Sequence, residues 1–519
     1  MNKLVLALLC VCCLPVQAAD VPDWLRYYQM AAERGDPEAQ MKMGWAFDKG
    51  DGVPRDTAKA VEWYRRAALQ NEPTAQYNLA LLLLEGKNVP KDAATGLDWL
   101  TRAASQNLTL AQTYLAALYD TGREVAKNDA EAVKWLARAS NNGDTAAMNN
   151  LALKYLNAEG VPRDSAQAKK LLMAAAQQGN ALAQTNLGLM NREGLGGSTV
   201  DHAQALTWLT AAAEQGNVTA QVKLGWMLLK GQGAAANPAA AIPWFVKAAA
   251  QGDVDAQTQL GWMAETGDGM PKNEAMAVQA YTAAAGKSPL AANNLGVLYR
   301  DGRGMPADAA MAERWFRLAA EAGDAGAQAN LASLLEARQP DDALVWYRRA
   351  AEQNQVAAQS RLGWLLLGRN QDADAVQWLT RAAAQNDAQA QNNLGVLYEG
   401  GRAVDKNPAT AAQWYCRAAE AGDAAAQNNL GALLRDGHGV AQDRDAAASW
   451  FKRAADQGYA KAMLNLGALY ETQAKAAPLK PLNAGPSAAR AVPPAVAPSP
   501  APTAIPLPAT TAPVGQPLP

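Results

Sequence analysis

Residues 75–103 read AQYNLALLLLEGKNVPKDAATGLDWLTRA. Ala75, Leu79 and Leu83 fall at i, i+4 and i+8, and Trp99 and Ala103 stand one turn apart, so the stretch holds two helices with one apolar stripe each. Gly86, Pro90 and Asp92 separate them, and two helices this short cover their stripes only by facing each other. The same arrangement recurs along the chain. A helical Trp four residues before an Ala returns at Trp63, Trp99, Trp135, Trp208, Trp244, Trp315, Trp346, Trp378, Trp414 and Trp450, mostly at a spacing of 36. Tyr27, Leu171 and Tyr281 are assigned to the same slot where Trp is missing, which brings the count to about thirteen. The spacing contracts to 31 and 32 around Trp346, where the loop is shortest.

A single pair of this length cannot bury enough apolar surface to fold alone, so each pair must stack on the next. The expected fold is all-α: a right-handed α/α superhelical solenoid of about thirteen helix-turn-helix repeats of ~36 residues, spanning 20–472. The clearest loop, Gly50-Asp51-Gly52-Val53-Pro54-Arg55-Asp56, offers glycines for a left-handed helix end and a Pro that stops continuation. Asp56, Asp92, Asp164, Asp308 and Asp443 then occupy helix N-cap positions. The ligand series of an EF-hand is missing from these loops.

Both ends depart from the repeat. Residues 1–19 place Lys3 before an apolar stretch, Leu4 to Leu14, and end in Val16-Gln17-Ala18, the pattern of an export signal cleaved near Ala18/Ala19. The expectation is a periplasmic or secreted protein without an integral membrane span. Residues 473–519 are rich in Pro and Ala with hardly any charge, as in a disordered or polyproline-like tail. Beyond the leader only Cys416 remains, so no internal disulfide is available, and stability must come from packing. A formal charge of −2 gives no electrostatic support for a nucleic-acid partner.

The stretch Ala390-Gln391-Asn392-Asn393-Leu394-Gly395, followed by Tyr398, a Gly-rich loop and Ala411-Ala412-Gln413-Trp414-Tyr415-Cys416-Arg417-Ala418-Ala419, closely resembles the Sel-one-like repeat family. The resemblance extends from about residue 21 to 471 and implies a tetratricopeptide-like α/α solenoid used as an adaptor; in bacteria such proteins are often exported and linked to envelope signalling, polysaccharide secretion or host contact. One branch of the family, described as penicillin-binding or β-lactam-hydrolysing, ties each helix pair with a disulfide. This chain lacks those cysteines, so the hydrolase label is not carried over.

No catalytic constellation, metal site or cofactor motif is read from the chain. His202 and His438 sit in separate inter-helix loops, the Gly-x-Gly segments precede Pro rather than opening a phosphate-binding helix, and Asp341-Asp342 reads as a turn and cap. Four Trp lie outside the repeat slot, each directly after Gly in a first helix: Trp45, Trp226, Trp262 and Trp364. At about 100° per residue they point away from the stripe that faces the partner helix, and Val297, Val396, Ala432 and Ala468 fill the same position elsewhere. Trp226 and Trp262, in consecutive repeats, are the leading binding candidates on a concave face, with Trp45 and Trp364 behind them; the competing reading is packing between repeats. A ladder of Asn78, Asn150, Asn186, Asn294, Asn330, Asn393, Asn429 and Asn465 is expected to satisfy loop backbone groups. The function expected is a non-catalytic scaffold that binds proteins. A peptidoglycan- or exopolysaccharide-associated module is the alternative, and a β-lactamase-like hydrolase is the third reading.

Overall fold

The computed structural model describes residues 22–195 and 199–476. The leader at 1–19 lies outside them, as does the tail beyond 476; the last helix, Ala460–Ala476, runs four residues into the segment assigned to that tail. Among the described residues there are 26 helices and no strand. They form two units, the first ending at Gln251 and the second beginning at Gly252. In each unit, helices carrying the Ala-Gln pattern (first helices) alternate with helices carrying the repeat Trp (second helices), as an α/α solenoid requires. The described residues open on a second helix, Asp23–Glu33, and close on a first helix, Ala460–Ala476.

The helix ends follow the expected chemistry. Asp56, Asp92, Asp164, Asp308 and Asp443 each accept from a backbone N–H in the first turn of a second helix, at 2.9–3.0 Å from Lys59, Thr95, Gln167, Met311 and Ala446. Such a cap contributes about 1 kcal/mol. Gly50 ends its helix in the left-handed region at φ 75°, and Gly52, also left-handed at φ 74°, lies close against Pro22 and Leu25, where a Cβ would stand 3.2 Å from both. Asp341 and Asp342 are not a cap: Gln339 holds that place, and the two acids occupy the first turn behind Pro340, with Asp341 paired to Arg369 at 2.7 Å.

The core is built one residue away from where the Trp periodicity points. The residue after each repeat Trp is the buried one: Tyr64, Leu100, Leu136, Leu209, Phe245, Phe316, Tyr347, Leu379, Tyr415 and Phe451 are all at most 4% exposed. Trp99, Trp135, Trp346 and Trp378 remain 5–9% exposed and the other six are half-buried. The Trp forms the outer wall of the core, and an Arg or Lys one turn on lies over its ring in eight copies, for example Arg102 over Trp99 at 4.8 Å. The assignment of Tyr281 to the Trp slot is corrected accordingly. It stands eight residues past its N-cap Asn273, as Tyr64 does past Asp56, so it is the buried core residue and Ala280 takes the Trp position.

The recurrent Leu-Gly follows from that core. A Cβ on Gly188, Gly225, Gly296 or Gly431 would stand 2.7–2.8 Å from Leu209, Phe245, Phe316 or Phe451, so glycine lets the next helix lay its large side chain directly on the backbone. In three of the four copies where the ring is Tyr, the hydroxyl donates to a carboxylate of the preceding helix or just past its end: Tyr281 to Glu265 (2.9 Å), Tyr415 to Glu399 (2.7 Å) and Tyr347 to Glu336 (3.0 Å). Burial, and then those carboxylates, hold these three phenols above the ordinary tyrosine range.

Two polar ladders join neighbouring repeats. The buried Gln of Ala-Gln donates backwards to a carbonyl in the last turn of the preceding second helix, as Gln76 does to Ala68 at 3.1 Å, and accepts from the residue that ends its own second helix, as from Gln106 at 2.7 Å. Gln40, Gln184, Gln221, Gln328, Gln359 and Gln427 repeat both bonds. The Asn ladder forms differently from the expectation. Asn186, Asn330, Asn429 and Asn465 donate to Asn149, Asn293, Asn392 and Asn428 of the previous first helix at 2.8–3.0 Å, so they tie helix to helix rather than loop backbone. Adjacent first helices run side by side, which brings an amide of one within reach of the next.

Candidate interaction surface

The four extra Trp sit at one position of the first helix, directly after the glycine that receives the large core side chain of the next helix. Trp45 and Trp364 are 40% and 48% exposed, whereas Trp226 and Trp262 are half-buried. Trp45 and Trp364 therefore offer the larger open aromatic surface. Trp226 spends part of its surface on its own repeat, edge-on to Phe245 at 5.7 Å, with Lys230 over its ring at 5.1 Å. Trp226 belongs to the first unit and Trp262 to the second.

The same position is filled along each unit. In the first, Trp45, Leu81, Leu153, Leu189 and Trp226 leave apolar surface open, with Ala117 between them. In the second, Trp364 is followed by Val396 at 42% exposed and Ala432, while Val297 is buried. Leu81, Leu153 and Leu189 had not stood out in the sequence because Leu is common throughout these helices.

A cation accompanies three of the four Trp. Lys42, Lys223 and Arg361 stand three residues before Trp45, Trp226 and Trp364, at the position that is Asn in the ladder repeats; Gln259 precedes Trp262. Residues three apart on a helix are surface neighbours. Arg361 lies over Trp364 at 4.2 Å and also pairs with Glu336, which raises its guanidinium further. Three of the four Trp repeats thus carry a positive charge three residues before the aromatic, whereas Val297, Val396, Ala432 and Ala468 are preceded at that spacing by a ladder Asn.

The other polar clusters are structural. Asp120, Asp129 and Glu159 converge closely enough to suggest a metal site, but the buried ammonium of Lys154 stands among them, 2.8 Å from Asp129 and 2.7 Å from Glu159. Burial alone would lower the Lys154 pKa; hydrogen bonds to the three acids outweigh it and raise it, and Asp129 and Glu159 are lowered in turn. His202 is the first residue of the helix His202–Glu214 rather than a loop residue, and His438 follows the helix Ala424–Asp436. Cys416 is half-buried, 3.5 Å from Glu420; burial and then that carboxylate push its thiol up, away from the nucleophilic thiolate. No helix among the described residues is long and apolar enough to cross a membrane.

Comparison with known proteins agrees with this geometry. A family model for the Sel1 repeat matches thirteen successive segments, from 25–36 and 37–72 to 388–423 and 424–459. The crystal structure of c5321, a protective antigen present in uropathogenic Escherichia coli strains and displaying an SLR fold, is 30% identical with a TM-score of 0.65, covering 86% of this chain and 90% of that one. A Sel1 repeat protein from Oxalobacter formigenes is 29% identical with a TM-score of 0.51, covering 61% of this chain and 92% of that one. No curated protein matches the chain.

Proposed function

The chain belongs to the Sel1 repeat family, in general a non-catalytic scaffold for protein interaction, and from that premise we propose that it is an exported adaptor that grips a protein partner along the Trp-bearing faces of its first helices. The observation that carries the reading is the exposure of Trp45 and Trp364 at a position where Val and Ala serve the fold equally well. Large aromatics on open surface anchor partners by burying area at small entropic cost. Lys42, Lys223 and Arg361 beside the rings favour a partner that sets carboxylates next to apolar side chains. The leader-like pattern of 1–19 is the support for export.

The test is capture from a cell-envelope extract by immobilised protein, wild type against Trp45→Ala/Trp364→Ala, with both of equal helicity by circular dichroism. Loss of a protease-sensitive species in the variant supports the reading. Retention of the same species, or a captured species sensitive to glycan hydrolases and not to protease, overturns it; the latter favours the polysaccharide-binding alternative. Mass spectrometry of the protein from its native cell reads the export claim separately, through a mature N-terminus near Ala18/Ala19.

A further inference from the structure

The last described helix, Ala460–Ala476, is a first helix with no second helix laid on it among the described residues. Its Gly467 holds the position of Gly431, Gly395 and Gly225, each of which receives a core ring of the following helix. A Cβ on Gly467 meets nothing within 4 Å, and Leu466, whose counterparts Leu394 and Leu430 are 1% and 5% exposed, is half-buried. The end of a solenoid ordinarily turns a polar face to solvent. Here the Gln and Asn of the preceding copy, Gln427 and Asn428, are replaced by Met463 and Leu464, which are 50% and 74% exposed. Met463 thus stands where the preceding copy accepts from the end of its covering second helix, as Gln427 does from Gln457, and Leu464 where it accepts from the next first helix, as Asn428 does from Asn465.

The chain itself shows what fits such a face. The covering helix carries a ring or Leu, a small residue four before it and Ala-Ala three and four after: Tyr415 with Ala411, Ala418 and Ala419, or Phe451 with Ala447, Ala454 and Ala455. The sequence of residues 477–519 does not contain that pattern: it holds no aromatic residue, and none of Leu479, Leu482, Leu507 and Leu518 has Ala-Ala three and four residues after it. A second copy cannot supply it through its first described helix, Asp23–Glu33, either. There Tyr28, Ala31 and Ala32 are in place, but the small position is Trp24. At the equivalent Gly96 even a Cβ would come within 2.9 Å of Leu84, so an indole would hold the two helices apart.

We propose that the face of Ala460–Ala476 around Met463, Leu464 and Gly467 is a docking site for one amphipathic helix of a partner protein, built like a second helix of the repeat. The partner continues the solenoid by one helix, with its aromatic or Leu side chain seated on Gly467. This site is independent of the Trp-bearing faces.

The probe is a fluorescent peptide of residues 443–458, whose Phe451 already serves this role on Gly431, titrated into the full chain. Saturable one-to-one binding with a gain of helicity is expected, weakened at least tenfold by Gly467→Leu in the chain and by Phe451→Ala in the peptide. Gly467 is exposed and Leu is a good helix former, so the variant should fold, which circular dichroism checks. Absence of saturable binding, or binding indifferent to Gly467→Leu, overturns the proposal. So does sedimentation showing a wild-type dimer that Gly467→Leu dissolves, which would assign the face to a second copy. A chain ending at 476 that binds the peptide tenfold more tightly than the full chain would assign the face to the tail, with the same consequence.

Discussion

The amide ladder has one broken rung, and repairing it is a quantitative test. Gln391 is 2% exposed and donates to Ala383 at 3.2 Å, but its buried Oε1 has no partner. In most other copies a Gln 30 or 31 residues on, or 25 and 26 in the short repeats, donates there at 2.7–2.9 Å; in this copy Ala421 holds the place. Ala421 has φ −72° and ψ −3°, close to the −85° and 2° of Gln457, so a Gln at 421 can reach without backbone movement. Satisfying a buried acceptor is worth about 1–3 kcal/mol, and ordering the new side chain costs up to about 2 kcal/mol, leaving a net gain of about 1 kcal/mol for Ala421→Gln. Repeat arrays need not unfold in one step, so the readout is native-state hydrogen exchange of the helices Asp372–Ala384 and Ala388–Gly400. Opening free energy there should rise by about 1 kcal/mol in the wild-type background and stay unchanged beside Gln391→Leu, which removes the acceptor. An equal rise in both backgrounds, or none in either, would refute the ladder as a source of stability.

Three further outcomes follow from the same packing. Gly431→Val should cost about 1–3 kcal/mol, since its Cβ would press on Phe451, while Gly467→Val, where a Cβ meets nothing, should be neutral or stabilising by about 0.3 kcal/mol through helix propensity, by urea denaturation. Lys154→Met should flatten the acid limb of the stability profile: Asp129 and Glu159 are held below their unfolded values, so their contribution is present above about pH 4 and lost as pH falls, and the variant lacks that slope. The buried phenols titrate above their unfolded value, so their contribution is complete below about pH 10 and disappears as pH rises. Tyr281→Phe/Tyr415→Phe should move alkaline unfolding to higher pH, followed by far-ultraviolet circular dichroism.

The fold was legible because it is written some dozen times: a period of 36, Gly and Pro loops and Asp caps each have a local physical cause. What escaped the reading needed a third dimension. Trp is the conspicuous letter, yet it stands at the edge, and the buried letter beside it varies among Tyr, Phe and Leu because the cavity over glycine accepts any large side chain. The Gln rung joins residues thirty apart whose registry only stacking sets, and the Asn ladder looked like a loop device until both partners were seen on first helices. The angular argument for Trp45, Trp226, Trp262 and Trp364 placed them off the intra-repeat stripe, but exposure depends on neighbours such as Phe245 that helix phase alone does not reveal.

The account rests on the first-helix faces as the surface a partner touches, and a photoreactive phenylalanine analogue at Val396, beside the Trp364 line, reads that contact directly. Irradiation in the native cell should give a discrete protein adduct from position 396 that Trp364→Ala suppresses, with none from Lys452 on the outer side of a second helix. Adducts from position 452 and none from 396 would contradict the account and move the binding surface to the second helices.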